Sequence, residues 1–210
     1  MKDIAKLPGL IESDRELLGL NVTIPYKEKV IPYLDEIDVE AREIGAVNTI
    51  KIIRQGTKYH LKGYNTDITG FEKSLTGLLK SCHTSALVLG TGGASKAVVY
   101  ALKKYGIIYQ YVSRTPRDHT MLSYDQIIPE IIRSHKLIIN TSPVGMYPNV
   151  GHCPQLPYDA IGPDHILYDL IYNPEMTLFL KKGKEKKATL INGLPMLYAQ
   201  AERSWLIWNE

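Results

Sequence analysis

The chain has 210 residues, 44% of them hydrophobic and 22% charged, with a formal net charge of +3. That is enough for one large domain or two small ones, with a core that needs neither disulfide nor metal to hold it. No apolar run approaches the ~18 residues of a membrane helix, and Met1-Lys2-Asp3 is not followed by a signal-peptide core. Cys82 and Cys153 stand alone, without zinc or disulfide spacing, and the six histidines form no metal-ligand pattern. These features point to the cytoplasm and to no metal, membrane or nucleic-acid partner. The one dense basic run, Lys181 to Lys187, falls late in a predicted helix and the turn after it. Cations are favoured there, so it reads as a solvated face.

Leu20 to Ile24 reads as a short strand, with Pro25 opening a helix that continues through Tyr26, Val30 and Leu34. Asp38 caps a second helix, Val39 to Ile44, which Gly45 stops. Two β-branched stretches, Ala46 to Ile53 and Lys58 to Tyr64, flank a Gln55-Gly56 turn and read as paired strands. Asn65-Thr66-Asp67 then opens a helix in which Ile68, Phe71, Leu75 and Leu78 keep helical spacing.

After Ser81 the texture changes. Strands are expected at Ser85 to Leu89, Ile107 to Val112, Leu137 to Asn140 and Ile166 to Leu170, with helical stretches between them. Such alternation specifies a parallel sheet with helices on its faces, a Rossmann-type doubly wound α/β arrangement. The domain boundary falls near Lys80 to His83. It divides a smaller substrate-binding α/β unit, 1–80, from a dinucleotide-binding unit, 84–193. The last helix, Leu194 to Trp208, is free to pack back on the first unit. Too few residues separate Ser113 from a strand at Met121 to Tyr124 for a full crossover helix, which places that strand at an edge or in a different pairing.

The strand Ser85 to Leu89 runs into Gly90-Thr91-Gly92-Gly93-Ala94-Ser95 and then a helix. This is the context in which a glycine fingerprint binds a pyrophosphate. Gly90 permits the tight turn, Gly92 the close approach of backbone N–H groups, and the helix N-terminus adds positive potential. The alternative is a glycine-rich turn that binds nothing. The end of the next strand carries Ser113-Arg114-Thr115 and then Arg117, with no acid to accept from a ribose 2′-hydroxyl. Guanidinium groups there favour a 2′-phosphate, hence NADP, although an exposed arginine without a ligand fits the same residues.

Lys27 follows a strand by a few residues, one turn into the expected helix, where its charge opposes the local dipole and calls for a nearby acid. Asp67 stands at the start of another helix. Taken locally, Asp67 is a helix cap and Lys27 a surface residue, and spacing does not pair them.

Eight segments, NVTIPYK, GAVNTI, GYNTD, GTGGAS, SRT, NTSPVGM, YDLIYNP and NGLPMLYAQA, occur in the order seen in shikimate dehydrogenases and extend from Leu20 to Ala201. The chain therefore resembles that family. The resemblance implies a two-domain, NADP-dependent enzyme that interconverts shikimate and 3-dehydroshikimate in aromatic amino-acid precursor biosynthesis. It matches Lys27 to the catalytic lysine and Asp67 to its partner. It sets Thr23, Asn48, Tyr172 and Gln200 at the substrate, and Gly90, Gly92, Gly93 and Ala94 at the pyrophosphate. Arg114 and Thr115 fall at the 2′-phosphate, and Thr141, Leu170 and Gly193 near the nicotinamide. A monomer or homodimer is expected.

Three departures accompany the resemblance. Family members open with a strand and helix whose Ser-x-Ser hydroxyls hold the substrate carboxylate. The given sequence starts where the second helix of the substrate domain is expected, and Ser13 is out of place to substitute. A truncated product or a shortened form that binds substrate poorly, with an exposed neighbouring strand edge, is the corresponding expectation. Ser113 stands where the family commonly has Asn, and the connection after Thr115 is short. The rival readings are an inactive relative that serves as a binding module, and an NAD-dependent quinate or quinate/shikimate dehydrogenase. A methylene-tetrahydrofolate dehydrogenase-type enzyme shares the architecture but not NVTIPYK or NGLPML.

Overall fold

The computed structural model describes residues 3–210. Met1 and Lys2, which begin the segment read above for a signal peptide, lie outside the described residues. No helix among the described residues is long and apolar enough to cross a membrane.

Helix α1 (Leu7–Ser13) and strand β1 (Gly19–Asn21) lead into a short β2 (Glu36–Ile37), helix α2 (Val39–Ile44) and the hairpin β3 (Thr49–Gln55) and β4 (Lys58–Tyr64). The four strands form one sheet in the order β1-β3-β4-β2, antiparallel except for the β2–β4 pair. As expected, Asp38 caps α2 by accepting from the Glu40 N–H, and Gly45 ends it in the left-handed region at φ 69°. Leu7 and Ile11 of α1 pack with Ile50, Ile52 and Leu61 in a core of their own.

The helix expected from Pro25 to Leu34 does not form. Residues 24–30 are a succession of turns, followed by a 3₁₀ turn at Ile31–Tyr33. The Lys27 carbonyl accepts from the Val47 N–H at 2.7 Å, and Ile31, four positions on, donates instead to the Glu28 carbonyl at 3.3 Å. Pro32 has no N–H to offer. The preceding strand is also shorter than expected.

Helix α3 (Asp67–Leu75) continues into a 3₁₀ turn, Thr76–Leu78. The second sheet then follows, with β5 (Ser85–Leu89), β6 (Ile108–Val112), β7 (Met121–Leu122), β8 (Leu137–Asn140), β9 (Ile166–Asp169) and β10 (Thr189–Ile191). Helices α4 (Gly93–Lys104), α5 (Pro129–Ser134), α6 (Leu178–Glu185) and α7 (Leu194–Asn209) complete the chain. All six strands are parallel, in the order β7-β6-β5-β8-β9-β10, which is the 3-2-1-4-5-6 order of the dinucleotide-binding fold. Strand β7 lies at one edge, opposite β10, and reaches its place without a crossover helix.

Both faces of this sheet are covered, and β5 shows why. Ala86 and Val88 join Phe71 and Leu102 on one side, while Leu87 and Leu89 join Ile138 and Phe179 on the other. Phe71 of α3 stacks on Tyr168 of β9 with ring centroids 5.2 Å apart, and Ser74 Oγ lies 2.6 Å from the Tyr168 hydroxyl. Helix α3 thus covers the parallel sheet although its sequence precedes it. Gly70 of α3 lets α7 approach; a Cβ there would stand 2.6 Å from the Met196 carbonyl. Beyond that crossing α7 reaches the small sheet, where Trp208 Nε1–H donates to the Ile50 carbonyl at 3.0 Å.

Candidate active site

The strand order reverses between β5 and β8, and a cleft of roughly 390 Å³ opens at their carboxyl ends, where such sheets bind ligands. Its lining comes from both sheets. Thr23, Lys27 and Asp67 come from the part of the chain before β5, Ala94, Thr141 and Leu170 from the part that builds the parallel sheet, and Gly193 and Gln200 from the N-cap and body of α7.

Lys27 and Asp67, forty residues apart, meet here. Lys27 Nζ lies 2.6 Å from Asp67 Oδ2, with the lysine side chain 14% exposed and the carboxylate 3%. Both line the cleft, the lysine being the more accessible of the two. Asp67 is the first residue of α3, where the unpaired N–H groups and dipole favour a negative charge. Its other oxygen accepts from Asn48 Nδ2 at 2.9 Å. Removal of Lys27 from helical context also removes the dipole conflict expected from the sequence.

Asn48 is buried and is not among the residues that line the cleft; it acts on them from behind. Its Oδ1 accepts from the Thr66 backbone N–H at 2.7 Å, and its Nδ2 reaches Asp67 Oδ1 and, at 3.0 Å, Gln200 Oε1. Thr23 and the half-exposed Tyr172 line the opening.

The glycine loop follows β5. Gly90 has φ +109°, and a Cβ there would meet Thr141 Oγ1 at 3.0 Å and Ser142 N at 3.2 Å. Thr141 Oγ1 in turn donates to the Leu89 carbonyl at 2.9 Å. Gly92 caps α4 without a side chain, and nothing stands within 4 Å of where its Cβ would be. Gly93 is close to the catalytic candidate: its virtual Cβ is 3.6 Å from Lys27 Cβ. Arg114 and Thr115 sit exposed beyond the end of β6, outside the cleft, with the Thr115 N–H held by Ser113 Oγ at 3.2 Å.

Several lining residues were not singled out from the sequence: Ser142, Met146, Tyr147, Asn173, Met196 and Leu197. Most lie inside the motifs NTSPVGM, YNP and NGLPML, so their neighbourhood was visible but not their side-chain direction. Behind them Asp169 is fully buried. Its Oδ1 accepts from Asn140 Nδ2 at 3.0 Å and the Ile171 N–H at 3.1 Å, and its Oδ2 from the Thr177 hydroxyl at 2.6 Å. Asn140 Oδ1 in turn accepts from the Ser142 N–H and hydroxyl. Burial pushes the Asp169 carboxyl up to about 6 against an ordinary 3.8.

Residues 4–50 match the family model described as the shikimate dehydrogenase substrate binding domain. The shikimate dehydrogenase (NADP(+)) of Halothermothrix orenii is 42% identical over 211 residues, an alignment that takes in 90% of this chain and 71% of that protein. Among solved structures, the shikimate dehydrogenase of Aquifex aeolicus superposes with a TM-score of 0.84 at 39% identity, covering 98% of this chain and 76% of that one. The Thermus thermophilus shikimate 5-dehydrogenase in complex with NADP(H) and shikimate gives 0.83 at 32% identity, covering 99% and 79%.

Proposed function

The chain belongs to the shikimate dehydrogenase family, and from that premise we propose that it catalyses the reversible, NADP-dependent oxidation of shikimate to 3-dehydroshikimate. The observation that carries this reading is the Lys27–Asp67 pair, 2.6 Å apart and facing the cleft at the switch point of the parallel sheet. Residues 1–80 together with 194–210 serve the substrate, and residues 84–193 the cofactor. Two lone cysteines agree with a cytoplasmic enzyme, acting as a monomer or homodimer.

The residues fit an NADP molecule. The open space over Gly92, the uncapped start of α4 and the positive φ at Gly90 suit a pyrophosphate. Exposed Arg114, with Thr115 beside it and no acid at the end of β6, suits a 2′-phosphate. When bound, the nicotinamide supplies the hydride acceptor for the alcohol.

Lys27 is the acid/base. As the alcohol is oxidised, its hydroxyl proton must leave, and the lysine amine is the group that faces the cleft to receive it. In the reverse direction the ammonium stabilises negative charge growing on the carbonyl oxygen and then protonates it. Asp67 keeps the nitrogen in place and shares the proton, and Asn48 fixes the carboxylate. Thr23, Tyr172 and Gln200 orient the substrate ring, and Thr141, Leu170 and Gly193 shape the nicotinamide end.

The test is NADPH or NADH formation at alkaline pH with shikimate, quinate or neither, using NADP and NAD in parallel. Turnover confined to shikimate with NADP is the expected result. Turnover only with quinate and NAD would replace the reading by the quinate enzyme. Silence throughout with NADP still bound would leave a binding module.

A further inference from the structure

We infer that Ser204, on the last helix and outside the cleft, is a positioning residue for this reaction: its buried hydroxyl, with those of Thr49 and Thr66, fixes how Gln200 and Asn48 present themselves to the substrate. The inference rests on the functional reading above and adds a residue to it.

One donor in this network is unambiguous. The Thr66 backbone N–H can only donate, and it points at Asn48 Oδ1 from 2.7 Å. That assigns the Asn48 amide, so Nδ2 must be the atom that faces Asp67 Oδ1 and Gln200 Oε1. With its oxygen occupied by Asn48, Gln200 has its own NH₂ left as a donor for the cleft that it lines. One backbone N–H therefore sets the polarity of both amides and leaves Asn48 Nδ2 to donate to the carboxylate that holds Lys27.

This assignment works only while α7 stays in register against the small sheet, because Gln200 is carried by α7. Ser204 stands one helical turn after Gln200 and is 1% exposed. Its Oγ lies 2.7 Å from Thr49 Oγ1 and 3.1 Å from Thr66 Oγ1, both also buried, and 2.9 Å from the Gln200 carbonyl. That carbonyl can only accept, so Ser204 is the donor in that bond, while the hydroxyls of Thr49 and Thr66 are free to donate to Ser204. Thr66 Oγ1 in turn lies 3.0 Å from Asn48 Nδ2. The three hydroxyls therefore form one buried cluster between the Asn48 amide and the backbone of the residue whose side chain Asn48 holds. A serine in mid-helix offers no helix-forming advantage that would explain it otherwise.

The test compares wild type, S204A and the double variant T49V/S204A for shikimate KM, kcat, NADP Kd and Tm. S204A is expected to raise the shikimate KM about tenfold, the worth of one misplaced hydrogen bond, with NADP Kd within about twofold of wild type. The double variant removes the hydroxyls as a pair, so its Tm should recover while the KM stays high. Recovery of KM together with Tm, or an unchanged KM in S204A, would overturn the inference by reducing the hydroxyls to packing. A second readout is independent of turnover: the side-chain NH₂ signals of Asn48 and Gln200, assigned with N48D and Q200E. They should exchange slowly in wild type and quickly in both Ser204 variants, and equal exchange in all three would also refute the role. If wild type fails to turn over shikimate, the functional reading falls, and the amide exchange still decides the positioning. If S204A does not fold, the double variant carries both readouts.

Discussion

Replacing Asp169 by Asn gives the most quantitative check on the electrostatics of this fold. Asp169 is fully buried at the end of β9, and burial raises its carboxyl from 3.8 to about 6. A folded-state value above the unfolded one means that the native protein holds the proton more tightly. Between these two values the native state binds more protons than the unfolded state, so stability falls as pH rises. The stabilisation is fully present below about 3.8 and is lost by the time pH has passed about 6. The interval between 3.8 and 6 corresponds to about 3 kcal/mol. D169N cannot titrate, so the difference in unfolding free energy, wild type minus variant, should fall by about 2.5 kcal/mol from pH 4 to pH 7. Urea unfolding at half-unit pH steps measures it. A difference that stays flat across that window, or grows with pH, would refute the reasoning. Asn140 hangs from this carboxylate and holds Ser142 at the cleft, so D169N should also raise the shikimate KM.

Two further substitutions probe the cofactor side. G90A places a Cβ 3.0 Å from Thr141 Oγ1 at φ +109°; it should cost about 1–3 kcal/mol in thermal unfolding and weaken NADP binding by calorimetry. R114A should raise the NADP Kd by about tenfold or more through loss of charge-assisted bonds to the 2′-phosphate, with NAD affinity unchanged; an equal loss for both cofactors would place the arginine elsewhere.

Much of this architecture was legible because local rules and tertiary structure agree. Asp38 and Gly45 bound α2 as their chemistry dictates, and of the two placements the short connection after Ser113 leaves open, an edge or a different pairing, β7 takes the edge. Where the two disagree, a long-range bond decided. The residues around Lys27 look helical, yet Val47 takes the Lys27 carbonyl and the segment becomes turns that aim the lysine at Asp67. Strand β10 is three residues long and carries too little pattern to be read. Within the site, Lys27, Asp67 and Gln200 were recognisable by motif alone; spacing could not have paired residues forty positions apart. Thr49, Thr66 and Ser204 carry no local signal at all, because a buried hydroxyl in a strand or helix gains meaning only from what faces it. The same holds for Asp169, which reads in sequence as an ordinary strand-end acid.

In the proposed reaction the Lys27 amine exchanges the proton of the reacting oxygen while the cofactor is bound elsewhere. Steady-state oxidation of shikimate by K27A, with NADP Kd measured on the same preparation, tests it most directly. Turnover is expected to fall by at least about a hundredfold, with NADP Kd within about twofold of wild type. Turnover equal to wild type would contradict it.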